Sequence, residues 1–190
     1  WTHLIPATLE GKAMHNVQNA MAAAVVAYAQ GIKLANVRQG LQTFDTSYFQ
    51  APGRLNIFDE LPFKVVLDYA HNPVAVRCMV DLVSRLDAEG RKICVLAAPG
   101  DRRNEDILEI AATAASGPFD HIIVRRDDAL RGREPDEVPK LLRQGLIDAG
   151  FAPEKITLFI DEKEAVGAGL EMCQRGDLLL VFGDNISRCW

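Results

Sequence analysis

Asp68-Tyr69-Ala70-His71-Asn72-Pro73 gathers groups able to hold a nucleotide at one short turn. A carboxylate such as Asp68 can accept two hydrogen bonds from a ribose diol, and the His71 imidazole adds a donor or acceptor beside it. Asn72 followed by Pro73 is the pattern of a helix start, where the amide caps the first turn and the ring presets φ. Such a helix N-terminus attracts anions, so the turn also suits a phosphate. Capping accounts for Asn72 and Pro73 without any function, but it leaves Asp68 unexplained.

Two more stretches mix arginine with aspartate: Pro99-Gly100-Asp101-Arg102-Arg103 and Arg125-Arg126-Asp127-Asp128-Ala129-Leu130-Arg131-Gly132-Arg133. The forked donors at Arg102-Arg103, at Arg125-Arg126 and at Arg131 and Arg133 match phosphate or carboxylate, which makes them candidate anion sites. A solvated charged loop is the competing reading of each stretch. Further upstream, His15-Asn16-Val17-Gln18-Asn19 opens an alanine-rich run. Asn16 and Asn19, three apart, share a helix face, where their amides either cap the helix or pair with an adenine edge.

The elements that must position these groups follow from periodicity. Met14, Val17, Met21, Ala24, Val25 and Tyr28 recur at helical spacing, Gly31 stops that helix, and a second is expected from about Leu34 to Leu41. Residues 44–53 have the composition of a linker. Beyond it, short apolar runs at 55–58, 64–68, 93–96, 121–124, 156–159 and 178–182 read as strands. Helical patterns separate them at 73–86, 105–115, 136–149 and 162–174. Continuous apolar runs imply strands covered on both faces. The strict alternation implies βαβ units in a Rossmann-like open α/β sheet, mostly parallel, with helices on both faces. The tight connection at Leu61-Pro62 makes the first two strands antiparallel. Ligands of such sheets bind beyond the strands' carboxyl ends, here after Leu67, Leu96, Val124 and Phe182. The charged loops and the Asp68 turn all fall at those places.

Composition narrows the classes. With 48% apolar and 25% charged residues and a net charge of −5, the chain is globular, with no general attraction to nucleic acid or an anionic membrane. Its longest apolar run, residues 20–27, is far short of the roughly 20 residues that span a bilayer. Four cysteines lack C-x-x-C or histidine spacing, so no metal site is expected of them. Cys78, Cys94 and Cys173 lie in apolar segments and are expected as buried thiols in a reducing cytoplasm. A chain opening on Trp1 without an initiating methionine reads as a segment of a longer polypeptide.

The order and spacing of His15-Asn16-x-x-Asn19, Pro52-Gly53-Arg54-Leu55-Asn56 and Asp68-Tyr69-Ala70-His71-Asn72-Pro73 resemble the H-N-x-x-N, G-R and D-Y-A-H-x-P motifs of the Mur ligase superfamily. The resemblance covers nearly the whole chain. It implies that residues 1–50 are the helical end of a central ATP-binding domain and residues 51–190 a C-terminal lid domain. It further implies ATP and Mg2+ as cofactors, and amide-bond formation through an acyl phosphate. On that resemblance Asn16 and Asn19 face the adenine and Asp68 holds the ribose. Arg54 approaches the phosphates as the lid closes, with Arg54 and His71 at the reacting end. Arg131 or Arg133 grips the carboxylate of the incoming amino acid. Gly183-Asp184-Asn185 and the loops at 99–103 and 131–133 resemble the superfamily members that attach arginine to the β-carboxylate of a poly-aspartate backbone. Asp101 and Arg102 would then contact that substrate, Asp101 through the guanidinium.

The implied partners are ATP, arginine or a peptide polymer, and upstream domains of the same polypeptide; homo-oligomerisation stays open. A peptidoglycan Mur ligase, a folylpolyglutamate synthase and a non-catalytic nucleotide-binding module are the alternatives. No G-x-x-x-x-G-K-[ST] loop is present, because Gly11-Lys12 lacks both the first glycine and the following Ser or Thr. The β- and γ-phosphates and magnesium are therefore expected to be held upstream, and this stretch alone to lack ligase activity. No G-x-G-x-x-G follows a strand, which argues against a dinucleotide oxidoreductase.

Overall fold

The structure is a computed structural model that describes residues 2–184. The chain divides into two compact units, Trp1–Pro52 and Gly53–Trp190.

The first unit holds α1 (Met14–Ala29) and α2 (Leu34–Thr43), preceded by two 3-10 turns at Thr2–Leu4 and Pro6–Thr8 that periodicity did not reveal. Buried Thr8 organises those turns. Its hydroxyl lies 2.8 Å from the carbonyl oxygens of both Thr2 and Ile5 and accepts the Gly11 N–H at 3.2 Å. Gly31, at φ +80°, takes the left-handed step between the helices. Helix α1 begins after Ala13, which has no side chain to cap it, so Asn16 and Asn19 lie inside the helix and the capping alternative fails. Instead the Asn16 amide donates to the Ala7 carbonyl at 2.7 Å, and its oxygen accepts from Asn19 at 3.1 Å. No residue of α1 is buried; Met21, Val25, Val26 and Tyr28 are each more than 60% exposed.

The second unit contains β1 (Asn56–Phe58), β2 (Lys64–Asp68), α3 (Pro73–Arg85), β3 (Lys92–Leu96), α4 (Asn104–Ala115), β4 (His121–Val124), α5 (Glu137–Asp148), β5 (Ile156–Leu158), α6 (Glu162–Met172) and β6 (Leu178–Phe182). Among the described residues the strands form one six-stranded sheet in the order β1-β2-β6-β3-β4-β5. Only the β1–β2 pair is antiparallel. The connections β2-α3-β3, β3-α4-β4 and β4-α5-β5 all step in one direction, so right-handed crossovers put α3, α4 and α5 on one face. The return from β5 through α6 to β6 runs the other way and puts α6 on the opposite face. Strand alternation sends Val65, Leu67, Ile93, Val95, Ile123, Leu179 and Val181 into the core beneath α6, where they meet Ala165. Gly169 lets α6 lie flat there, since a Cβ would sit 3.2 Å from both Leu179 and Val95.

Three cysteines, Cys78, Cys94 and Cys173, are free thiols. Cys94 in β3 is buried as expected. Cys78 and Cys173 are only half-buried, because the first sits on the flank of α3 and the second ends α6.

The amino-terminal edge of the sheet is held by one buried carboxylate. Asp177, 3% exposed, accepts the Arg91 N–H at 2.7 Å, the Arg91 guanidinium at 2.8 Å and the Gln174 N–H at 2.9 Å. Burial alone would raise this carboxyl. The N–H groups of Gln174 and Arg91 and the Arg91 charge outweigh it and hold Asp177 below its ordinary 3.8. Asp177→Ala is expected to cost about 2–3 kcal/mol near neutral pH, read from urea unfolding. A depressed carboxyl stabilises above its unfolded value and loses that contribution as pH falls, so the gap between variant and wild type should shrink below pH 3.8.

Candidate functional site

The carboxyl edge of the sheet is built differently. At the entry to β1, Gly53 (φ +71°) and Leu55 (φ +52°) place left-handed residues on either side of Arg54. For leucine that conformation costs roughly 1–2 kcal/mol. It is held because the Leu55 side chain is buried and its N–H donates to Asp68 Oδ2 at 2.9 Å. Asn56 Oδ1 accepts the Gly53 N–H at 2.7 Å and closes the same turn. The last residue of β2 thus fixes the backbone that carries Arg54. The Arg54 guanidinium stacks 5.2 Å from the Tyr69 ring centre, and that ring lies 5.2 Å from the His71 ring. His71 Nδ1 is 2.9 Å from the Tyr69 carbonyl, which can only accept, so Nδ1 is the donor in that contact. Asn72 caps α3 through the Ala75 N–H at 2.9 Å, as its sequence position suggested. Burial raises the Asp68 carboxyl, opposed by the Leu55 N–H and the Arg54 charge. Asp68, Arg54 and His71 are brought together.

The next two loops meet each other. Asp101 and Arg131, expected to contact opposite ends of one substrate, form an ion pair with both heads partly exposed. Arg133 has a different task from the one anticipated. Its Nε donates to the Gly100 carbonyl at 2.8 Å, one Nη to the Arg102 carbonyl at 2.6 Å and the other to Glu137. With its fork committed, Arg133 is a strut between the loops, and Arg131 is the residue left with an accessible head. Gly100 is required at this crossing, since a Cβ there would lie 2.2 Å from the Leu130 carbonyl oxygen. Arg102 is half-buried beside it. Arg103 pairs with Asp106 in the first turn of α4 at 2.8 Å.

Arg125 is corrected outright. It is fully buried, so it is no surface anion site. Its guanidinium donates to Glu162 Oε1, the Phe182 carbonyl and the Arg126 carbonyl, each at 2.7 Å, and lies 3.1 Å from Asp184 Oδ1. Asp184 in turn accepts the Asp128 N–H at 2.6 Å through Oδ2 and donates its own N–H to Glu162 at 3.0 Å. One buried cation therefore joins the ends of β4 and β6 to the start of α6. The carboxylates of Asp128, Glu162 and Asp184 offer oxygens within 4.8 Å of one another. With the Arg125 guanidinium already against two of them, the set does not fit magnesium, which needs close octahedral oxygen ligation.

A narrow cleft lies between these parts, walled by Tyr69, His71, Pro99, Asp127 and Asp184. Burial raises Asp127, whose Oδ1 accepts the Ala129 N–H at 2.8 Å. Sequence reasoning missed Glu162 and the roles of Asp127 and Tyr69. Glu162 follows the capping Asp161, where a glutamate ordinarily faces solvent, so nothing local marks it as buried.

This fold and edge find matches among known proteins. The model of the family "Mur ligase, glutamate ligase domain" matches residues 53–185, and the chain belongs to that family. Cyanophycin synthetase of Geminocystis herdmanii is 36% identical over 183 residues, which is 96% of this chain and 20% of that protein. The chain thus spans about a fifth of the length of such curated relatives. Among solved structures, MurF from Acinetobacter baumannii superimposes with a TM-score of 0.65 at 21% identity, over 93% of this chain and 35% of that one. E. coli FolC, in complex with ADP, gives 0.60 at 23% identity over 79% and 31%. No helix among the described residues is long and apolar enough to cross a membrane.

Glu162 supplies a pH test of the buried cluster. Burial, and next its hydrogen bond with Asp184, push it from 4.5 to about 7. Burial also acts upward on Asp184, but that is outweighed by the Glu162 hydrogen bond and the Arg125 charge, and Asp184 stays below its ordinary 3.8. A raised acid holds its proton more tightly folded than unfolded, so stability falls as pH climbs from 4.5 to about 7 and then levels. Asp184 has the opposite sign, but only below 3.8. The fall should be on the order of 1–3 kcal/mol in wild type and smaller in Glu162→Gln, compared by urea unfolding at about pH 5 and about pH 7.5.

Proposed function

We propose that this chain is the end of the ATP-binding domain and the lid domain of an ATP-dependent amide-bond ligase that joins arginine to the β-carboxylate of a poly-aspartate backbone. The observation that carries the reading is the carboxyl-edge turn in which Asp68 fixes Arg54 beside Tyr69 and His71. Likeness to cyanophycin synthetases supports the polymer substrate, and ADP in the FolC structure supports the nucleotide.

Residues 1–50 are assigned to the end of the ATP-binding domain, and the bare apolar surface of α1 supports a further part of that domain covering it. Asn16 and Asn19 take the adenine edge. The free lone pairs of the Asp68 carboxylate suit the ribose diol, and Arg54, exposed above Tyr69, suits a phosphate. ATP supplies a phosphoryl group that turns the acceptor carboxylate into an acyl phosphate, with magnesium held by upstream residues. His71, which lines the cleft, would take a proton there. The ion pair of Asp101 with Arg131 supports a zwitterionic amino acid as the incoming group. Its carboxylate would exchange onto Arg131 and its guanidinium onto Asp101, with Arg102 alongside. Excluding water as the lid closes protects the acyl phosphate from hydrolysis.

The test uses the longer polypeptide that carries this segment, given ATP, magnesium and an aspartate-arginine primer. ADP release should require arginine, and Asp68→Asn should raise KM for ATP about tenfold, roughly 1.4 kcal/mol. Release driven by another amino acid or by a nucleotide-linked acceptor would move the chain to a sister ligase. Absence of release under every condition would leave a nucleotide-binding module. The 190-residue chain alone is expected to release no ADP.

A further inference from the structure

We infer that Arg125, Glu162 and Asp184 form a buried clamp that positions the loop at residues 126–133 for the incoming amino acid; this rests on the amino-acid role proposed above for Arg131. The loop leaves β4 directly after Arg125 and carries Asp101's partner, Arg131, near its far end. That far end is tied by the Arg133 strut. The near end is tied by the clamp, at the Arg126 carbonyl through Arg125 and at the Asp128 N–H through Asp184. Between the two ties, Arg131 at φ +50° and Gly132 at φ +92° make a tight left-handed corner. The backbone positions that aim Arg131 are therefore set from both sides.

Stability alone gives little reason for this design. A buried guanidinium between two carboxyls is costly to desolvate, and apolar residues of similar volume commonly serve stability as well or better. What the charges add is direction. Asp184 Oδ2 faces one particular N–H at 2.6 Å, and Arg125 spreads its donors over three elements. Glu162 Oε2 is buried without a hydrogen-bond partner among the described residues, so this carboxyl is held in place through Oε1 alone, by the Arg125 guanidinium and the Asp184 N–H. Arg125, Glu162 and Asp184 are positioning residues, acting on substrate through the loop.

Two variants separate positioning from bulk stability. Asp184→Ala removes the acceptor for the Asp128 N–H. Asp184→Asn keeps an acceptor oxygen there and gives up only the charge that faces Arg125 at 3.1 Å. In the 190-residue chain, amide hydrogen exchange at Asp128 and Ala129 should speed by about tenfold or more in Asp184→Ala and stay within about threefold of wild type in Asp184→Asn. In the longer polypeptide, Asp184→Ala should raise KM for arginine by about tenfold and KM for ATP by far less, and Asp184→Asn should restore the arginine KM. Unchanged loop exchange in Asp184→Ala would overturn the clamp. Faster exchange with an unchanged arginine KM, or an equal rise in KM for ATP, would overturn its positioning role. If the wild-type polypeptide shows no amino-acid-dependent turnover, the proposed function fails, and the exchange measurement still decides whether the clamp holds the loop.

Discussion

The hydrogen bond from the Leu55 N–H to Asp68 is the contact on which the site depends. It joins the last residue of a central strand to a turn whose backbone leucine would otherwise leave. The strain at Leu55 is local, but it decides where Arg54 points, and Arg54 then stacks on Tyr69, which stands next to His71. One carboxylate oxygen thus orders a basic, an aromatic and an imidazole side chain in a row at the sheet's edge. The remaining lone pairs of the same carboxylate are what a diol would meet.

The two ends of the sheet divide the work. At the amino-terminal edge, Asp177 has its oxygens filled by Arg91 and Gln174, and Gly90 packs so close that a Cβ would sit 2.2 Å from it. Such a site has nothing left to offer a ligand. The carboxyl-terminal edge instead keeps charged heads partly exposed at Arg54, Asp101 and Arg131, beneath which the Arg125 cluster is closed and buried. The parallel arrangement dictates this asymmetry, because every β-to-α loop emerges at one end.

Much of this was legible in the residues. The strands from β2 onward announced themselves as apolar runs, and the alternation with helices implied the parallel sheet. The antiparallel β1 followed from the short Leu61-Pro62 connection. Asp68 stood out because capping explained its neighbours and not itself. The failures share a cause: a charge pattern says nothing about which way a side chain turns. Arg125 and Arg126 looked like twin surface cations, yet Arg125 directly follows β4 and turns inward. Arg133 and Arg131 looked equivalent, but only Arg133 finds two backbone carbonyls within reach. Asn16 looked like a cap, and tertiary contact with Ala7 won over that local preference. Glu162 could not be seen at all, since its partners lie 37 and 22 residues away along the chain.

The central claim is that the Asp68 turn receives a nucleotide, and the most direct measurement is a titration of the 190-residue chain with magnesium and ADP, followed by backbone amide NMR. At nucleotide concentrations on the order of millimolar, shifts should concentrate at Arg54, Leu55 and residues 68–72, and vanish in Asp68→Asn. Shifts confined to other parts of the sheet, or equal in wild type and Asp68→Asn, would contradict the account.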